Sequence, residues 1–546
     1  MPKRILTTTT ADFQGGLNLN ADPFQLGKNE TSDCLNVDFD PLGGFHQRDG
    51  IAGLADAYFA NSKPSMWQFT TPNGEYSQVM FQSLNTPAYV SGSTSYDITM
   101  DVAPLDVTGD SVSSRMYAAT FRDPQNLSTA CCYIQRNAQY VPIRWNGTVG
   151  HRLVDPSPSG WNEDFAAPAH GKMPLAKFIT AHRNYVFVAN TVEDGETHTS
   201  RIRWSHPGFP EDWREGDWID IEPGAGDAIT GVASWQDRLL IFKNNAVFML
   251  LGYDADTFEV VNVSRTVGAL NQGAIAVAEE GVFFFSWPEG VFFFDGSKLR
   301  DLFAGLRPLL TDGTVARTHR KYISCSWVKQ RLWVSIPTNV DWYGDGVTLV
   351  FDPALGRGGG WTKYQCGSGW VGFAIEFAPP GEDSHWYAIP GDTQQRIVEL
   401  HADQAFDDLL GSENPIRTRY QTPWIDLGNP ALAKSWRRPV FVFNNEDNYT
   451  LNFTTFGDYN TTEPLGTFTK TVSSGSSSWL VWDEDDWDEA NWATTAGTPQ
   501  QIAKGARLGR ATAVSLLVEG PPDLEHAAMW GVNAITWKYI PKRIRS

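Results

Sequence analysis

The chain has 546 residues but only five cysteines, at positions 34, 131, 132, 325 and 366. The number is odd and no pair has C-x-x-C spacing, so neither a disulfide framework nor a zinc site is indicated. Cys131 and Cys132 are adjacent. On a strand they would face opposite sides, and a bond between them would be strained. No run reaches the ~18 apolar residues of a membrane span. No membrane insertion of its own is therefore expected. The N-terminus, Met1-Pro2-Lys3-Arg4-Ile5-Leu6 followed by four threonines, lacks the apolar core of a secretion signal. Bases are short too: 43 Lys and Arg stand against 63 Asp and Glu, a formal net charge of −20. This excludes a generally basic protein that wraps nucleic acid, because gripping a duplex takes an excess of cations.

Catalytic motifs are also missing. The chain has no G-x-S-x-G, no phosphate-cradling G-x-x-x-x-G-K-[ST] and no H-E-x-x-H. Its ten histidines are scattered. His206, in Ser205-His206-Pro207-Gly208, reads as a loop residue on a turn. No catalytic residue, metal or cofactor is expected. Glycoside hydrolysis needs only two carboxylates across a cleft, so a propeller glycosidase stays open as an alternative. Loop acids such as Asp227, Asp237 and Asp295 read as turn formers that bond nearby backbone.

What is present is aromatic and turn-rich. The chain is 41% hydrophobic and 13% aromatic, with 22 Trp, 31 Phe and 17 Tyr, and it holds 49 Gly and 32 Pro. That composition predicts an all-β globular protein. Strand–turn–strand units recur. The clearest are 237–242 with 246–251, 282–285 with 291–294, and 330–335 with 347–352. Similar pairs lie at 185–189 with 201–204 and at 385–389 with 396–400, and a weaker one at 117–121 with 133–144. Comparable strands recur at roughly 45–55 residues, a blade-sized period. The expectation is a β-propeller of about six to eight blades over 51–402. Strands such as 282–285 are apolar on both faces, as stacked blades require. An open series of β-sandwiches is the alternative. Residues 1–50 read as an N-terminal arm or docking segment with one strand at 35–39. Residues 403–546 read as a C-terminal β-sandwich. Ala402–Glu413 reads as a short helix or a linker between them.

Two features are candidate sites. Asp483, Glu484, Asp485, Asp486, Asp488 and Glu489 surround Trp487 in the densest charge run. An EF-hand loop is excluded, because the turn glycine and the twelfth-position glutamate are missing. An acidic lining facing a channel and a solvated loop remain. Trp204, Trp213 and Trp218 flank a Pro/Gly-rich loop. They read either as a surface-binding loop that stacks sugar rings or as ordinary packing.

Gly15-Gly16-Leu17-Asn18-Leu19, Asn36-Val37-Asp38, Gly43-Gly44-Phe45 and Arg48-Asp49-Gly50 together resemble the start of many bacteriophage tail proteins. These are the nozzle proteins of short-tailed phages, also called tail tubular protein B, and related hub proteins. The resemblance continues through Arg203-Trp204-Ser205, Ile229-Thr230-Gly231 and Arg238-Leu239-Leu240, then Gly281-Val282, Gly290-Val291 and Asp295-Gly296. Thr422-Pro423-Trp424-Ile425-Asp426 is also of a kind seen in phage virion proteins. About half the chain is covered. The Gly-Ile-Ser-Gln-Gln-Pro run of one nozzle branch is absent, which keeps a long-tailed phage's minor tail protein open. The resemblance implies a β-propeller inserted in a virion component, assembled in the host cytoplasm. It implies a homo-hexameric ring below a tail adaptor or tubular protein, lining and gating the exit channel of the genomic DNA. The charge suits a conduit whose walls repel phosphate. A tail-tip protein that binds a receptor glycan is the other expectation.

Overall fold

The computed structural model describes residues 5–541 apart from 59–64, 84–85, 92–93, 100–114, 123–128, 154–171, 225, 312–314, 316–318, 339–345, 357, 367–370, 380, 382, 391–395, 403, 409–412, 445–447, 473–499 and 521–527. Almost all regular structure is strand. The chain divides into two compact units, Gly53–Thr348 with Gly369–Glu399, and Met1–Ala52 with Leu349–Ser368 and Leu400–Ser546.

The first unit is a β-propeller. Its inner strands start at residues 66, 117, 175, 229, 275, 324 and 371. Each touches the next, and Val371–Phe377 touches Met66–Thr70, so seven blades close a circle. Blades one to five are four-stranded antiparallel sheets. The fourth strand of blade seven is Gly50–Tyr58, which precedes blade one in the chain. Its Leu54 packs with Ile389 and Ile397 of blade seven and with Phe81 of blade one.

Alternation within each second strand explains the stacking. In Arg238–Lys243, Leu239 and Ile241 join the cluster shared with blade three, while Leu240 and Phe242 join the one shared with blade five. In blade two, Cys131 packs towards blade three and Cys132 towards blade one, as their adjacency predicts. All five cysteines are buried and none forms a disulfide.

A polar residue recurs near the end of these apolar strands: Gln82, Gln135, Asn190, Lys243, Ser286 and Ser335 are all buried. Four of them latch the entry of the next blade. Gln82 Oε1 accepts the Met116 N–H at 2.9 Å, and Gln135 Oε1 accepts the Ala176 N–H at 3.1 Å. Asn190 Nδ2 donates to the Ile229 carbonyl at 3.1 Å, and Ser335 Oγ donates to the Val371 carbonyl. The latches satisfy backbone groups that would otherwise be stranded where one sheet ends and the next begins.

The second unit is a β-sandwich built from both ends of the chain. Gly531–Pro541 is central to an eight-stranded sheet. One of its edges pairs with Leu6–Thr10 and Phe45–Gln47. The other pairs with Val440–Asn444 and Lys434–Trp436, which pair in turn with Gln500–Lys504 and Gly509–Ala511. The facing sheet runs Cys34–Leu35, Arg419–Gln421, Val514–Glu519, Tyr449–Gly457, Asn460–Val472. Phe441 and Phe453 meet between the sheets, with ring centroids 4.8 Å apart. The N-terminal arm is thus docked along the C-terminal sheets.

Two local expectations differ. The strand read over 35–39 is broken at Asn36, whose φ is 54°. Residues 402–413 hold no helix among those described: Phe406–Asp408 is a strand that pairs in parallel with Ala52. Both departures have one cause. Arg48 is 2% exposed and forms a paired contact with Asp407, Nη1 to Oδ1 at 2.9 Å and Nη2 to Oδ2 at 2.7 Å. Its Nε donates to Asn36 Oδ1 at 3.0 Å and its Nη2 to the Gln365 carbonyl at 2.7 Å. Asn36 Nδ2 donates to the Arg417 carbonyl, and Tyr364 donates to Asp38. Burial is the largest influence and opposes the Arg48 charge, but the Asp407 carboxylate, together with Cys366 and Tyr364 beside it, holds the guanidinium's pKa above its usual value.

Two predictions follow from these contacts. Asp407→Asn strands a buried guanidinium and is expected to cost about 3–5 kcal/mol in the sandwich's unfolding transition, with Arg48→Met/Asp407→Leu recovering most of it. His182, 4% exposed and 2.8 Å from Ser234 Oγ, is held down to about 4, chiefly by burial and then by Arg183. The unfolded chain therefore takes up this proton first as the pH falls. The stabilisation is complete above pH 6.5 and lost towards pH 4. The loss should be on the order of 2 kcal/mol, and His182→Gln should flatten that slope in thermal melts.

Candidate functional site

The acidic run Asp483–Glu489 lies outside the described residues. The tryptophan loop does not form as a surface site. Trp204 is 4% exposed and packs with Phe187 and Phe258 between blades three and four. Trp213 is 1% exposed, sits in the core between blades two and three, and donates its indole N–H to the Pro210 carbonyl at 2.9 Å. A large ring in a loop that folds back over a blade edge gains more by burial than by exposure. Only Trp218 is exposed, and the Arg201 guanidinium lies 3.7 Å from its ring centroid. Arg201 is itself held by both Asp220 oxygens, at 2.9 and 3.1 Å.

The loop acids behave as turn formers or ion-pair partners. Asp295 Oδ1 accepts the Ser297 and Lys298 N–H groups at 2.9 and 2.8 Å, and these bonds hold its carboxyl well below the usual range. Asp227 accepts the N–H groups of Asn244 and Asn245. Asp237 stands 3.6 Å from Arg183. His206 is half-buried and stacks on Phe209. Among the described residues no group of His, Cys, Asp and Glu could hold a metal ion.

The sandwich carries a different feature. Phe24, 67% exposed, lies against Tyr459 with ring centroids 4.0 Å apart, and Trp424 lies 5.0 Å from the same ring. Tyr459 is in the two-residue loop joining Tyr449–Gly457 to Asn460–Val472. Asp458 and Tyr459 have φ of 54° and 60°. Such turns favour Asn-Gly or Asp-Gly, and a bulky residue there is strained. The turn is pinned by Asp458 Oδ1, which accepts the Thr512 N–H and hydroxyl at 2.6 and 2.7 Å. Burial first, then the Asp426 carboxylate, pushes the Tyr459 phenol's pKa up. Exposed Asp22, Asp458 and Glu463 and half-buried Asp426 surround the rings in the chain. A stacked aromatic tip with acids around it is suited to docking on another macromolecule. Of these rings, only Trp424 is in a segment that the sequence singles out. The signal for Tyr459 is an Asp-Tyr pair between two alternating strands.

No family model matches the chain, and no curated protein matches it. Solved structures do. A chain from the crystal structure of BBS1N in complex with ARL6DN, soaked with mercury, shares 9% identity over 68% of this chain and 97% of that one, with a TM-score of 0.37. The Cps50 (Swd1) β-propeller domain of Myceliophteria thermophila shares 8% over 65% and 99%, with a TM-score of 0.38. The structure of YCF48 bound to D1 peptide gives 11% over 70% and 100%, with a TM-score of 0.32.

The burial of the tryptophans sets a clear contrast. Trp213→Ala should cost about 3–5 kcal/mol in thermal or urea unfolding, as for a large core aromatic. Trp218→Ala should change stability by less than about 1 kcal/mol, the worth of an exposed cation–π contact.

Proposed function

We propose that this chain is a structural protein of a bacteriophage tail, a nozzle or hub that assembles into a homo-oligomeric ring around the exiting DNA. The observation that carries the reading is the layout of the chain. A seven-bladed propeller is inserted into a sandwich whose strands come from both ends of the sequence. The resemblance implies a β-propeller inserted in a virion component, and a propeller inserted into a second unit is consistent with that. The residues that carry that resemblance at the N-terminus support it further, because Asn36, Asp38 and Arg48 are members of the buried knot that joins the arm to the rest of the sandwich.

In this reading the mechanism is steric and electrostatic. The protein does no covalent chemistry and holds no cofactor. Its acid excess, with Asp483–Glu489 as the channel-facing candidates, repels the phosphate backbone and lets DNA slide. Its partners are other copies of itself, a tail adaptor or tubular protein, and the passing genome. Its location is the tail of the virion. Against the receptor-glycan alternative stands the burial of Trp204 and Trp213, two of the three rings that reading needs.

Mass photometry and negative-stain microscopy of the purified chain, alone and with its adaptor, are expected to show closed rings of sixfold symmetry. A chain that stays monomeric in both conditions would overturn the reading.

A further inference from the structure

Seven arginines of the propeller, Arg144, Arg183, Arg201, Arg203, Arg265, Arg300 and Arg307, have carboxylate partners. One strip of the sandwich is different. Residues 430–444 and 500–511 contain Lys434, Arg437, Arg438, Lys504, Arg507 and Arg510 and no acid. Strand pairing brings these two segments side by side, Ser435 opposite Arg510 and Val440 opposite Lys504. Lys434 is buried and spends its ammonium on the carbonyls of Asn429, Leu432 and Thr512 at 2.8, 3.0 and 2.7 Å. Arg438, Lys504, Arg507 and Arg510 are exposed. None of the four has an ion-pair partner among the described residues. Ile502 is 72% exposed on the same strip.

The aromatic tip has the opposite need. Asp22, Asp426, Asp458 and Glu463 lie close in the chain to Phe24, Trp424 and Tyr459, and none of them forms an ion pair among the described residues. The tip and the strip belong to one unit and adjoin at Thr512, whose N–H holds Asp458. Asp426 of the tip acts favourably on the buried Lys434 ammonium of the strip, while the exposed charges of the two surfaces form no ion pair with each other among the described residues. A surface with acids near the exposed Phe24 ring and exposed bases along an edge is complementary in charge to another copy of itself. The strain at Tyr459 fits this use. Glycine would serve the turn better, and the chain instead places a ring there, in contact with two others.

We propose that this is a self-association surface: the acidic aromatic tip of one copy seats on the base-only strip of a second copy of this chain. The proposal rests on the ring reading above and specifies which surfaces close the ring. Rings would supply the apolar anchor, and opposite charges would set partner and register.

The test uses two full-length charge-reversal variants, Asp22→Arg/Glu463→Arg and Arg507→Glu/Arg510→Glu, in the condition that assembles the unaltered chain. Thermal melts establish that both are folded. Each alone should raise the concentration of half-assembly at least about 100-fold by mass photometry, because like charges then face each other. An equimolar mixture should regain unaltered assembly, since alternating copies restore every acid–base contact. Tyr459→Gly should keep or raise stability and still weaken assembly. If the folded variants assemble like the unaltered chain, or their mixture fails to recover, this contact is overturned and the ring reading stands. If the unaltered chain never assembles, both fall.

Discussion

A sheet that is apolar on both faces cannot be half-solvated. Second strands of this propeller send alternate side chains to opposite neighbours, as Leu239 and Ile241 do against Leu240 and Phe242. Each blade must therefore lie between two others. An open row of blades would leave two apolar faces in water, at roughly 25 cal/mol for each Å². A closed circle leaves none. That constraint accounts for the placement of Gly50–Tyr58, which completes the last blade from before the first. It also accounts for the buried amides and hydroxyls at the blade entries, because a circle of sheets has a seam at every junction where backbone groups need partners.

The sandwich is organised by a polar centre. Arg48 binds side chains or carbonyls from Asn36, Gln365 and Asp407, and so ties four separated stretches of chain to one point. A buried guanidinium does not add much net stability when replaced as a pair, but it is unforgiving of partial satisfaction. It specifies which segments meet. The left-handed backbone at Asn36 and the strand at Phe406–Asp408 are consequences of meeting that demand. The arm, the middle segment and the C-terminal sheets are therefore one folding problem, although the sequence spaces them hundreds of residues apart.

The surface divides by a similar rule. Some acids and bases are paired, as Arg201 and Arg203 are with Glu193 and Asp220 in blade three. Where they are not, on the aromatic tip and the base-only strip, the unit keeps charges that its own fold leaves unanswered. Charge of −20 over the whole chain thus hides a local basic edge that an overall sum cannot reveal.

The blade period, the strand–turn–strand pairs and the two-faced apolar strands were legible from residue order alone, because burial on both faces writes an unbroken apolar run into each second strand. The opposite facing of Cys131 and Cys132 followed from strand geometry. A further repeat was present but unread: a polar residue near the end of runs such as Cys132-Tyr133-Ile134-Gln135 and Leu240-Ile241-Phe242-Lys243. Tertiary structure alone decided the rest. It set the blade number at seven, because closure depends on how many sheets fit around an axis. It buried Trp204 and Trp213, because a ring's exposure depends on which strand the loop crosses. It also brought Phe24, Trp424 and Tyr459 together, because they come from loops far apart in the chain and only the pairing of strands places them at one tip.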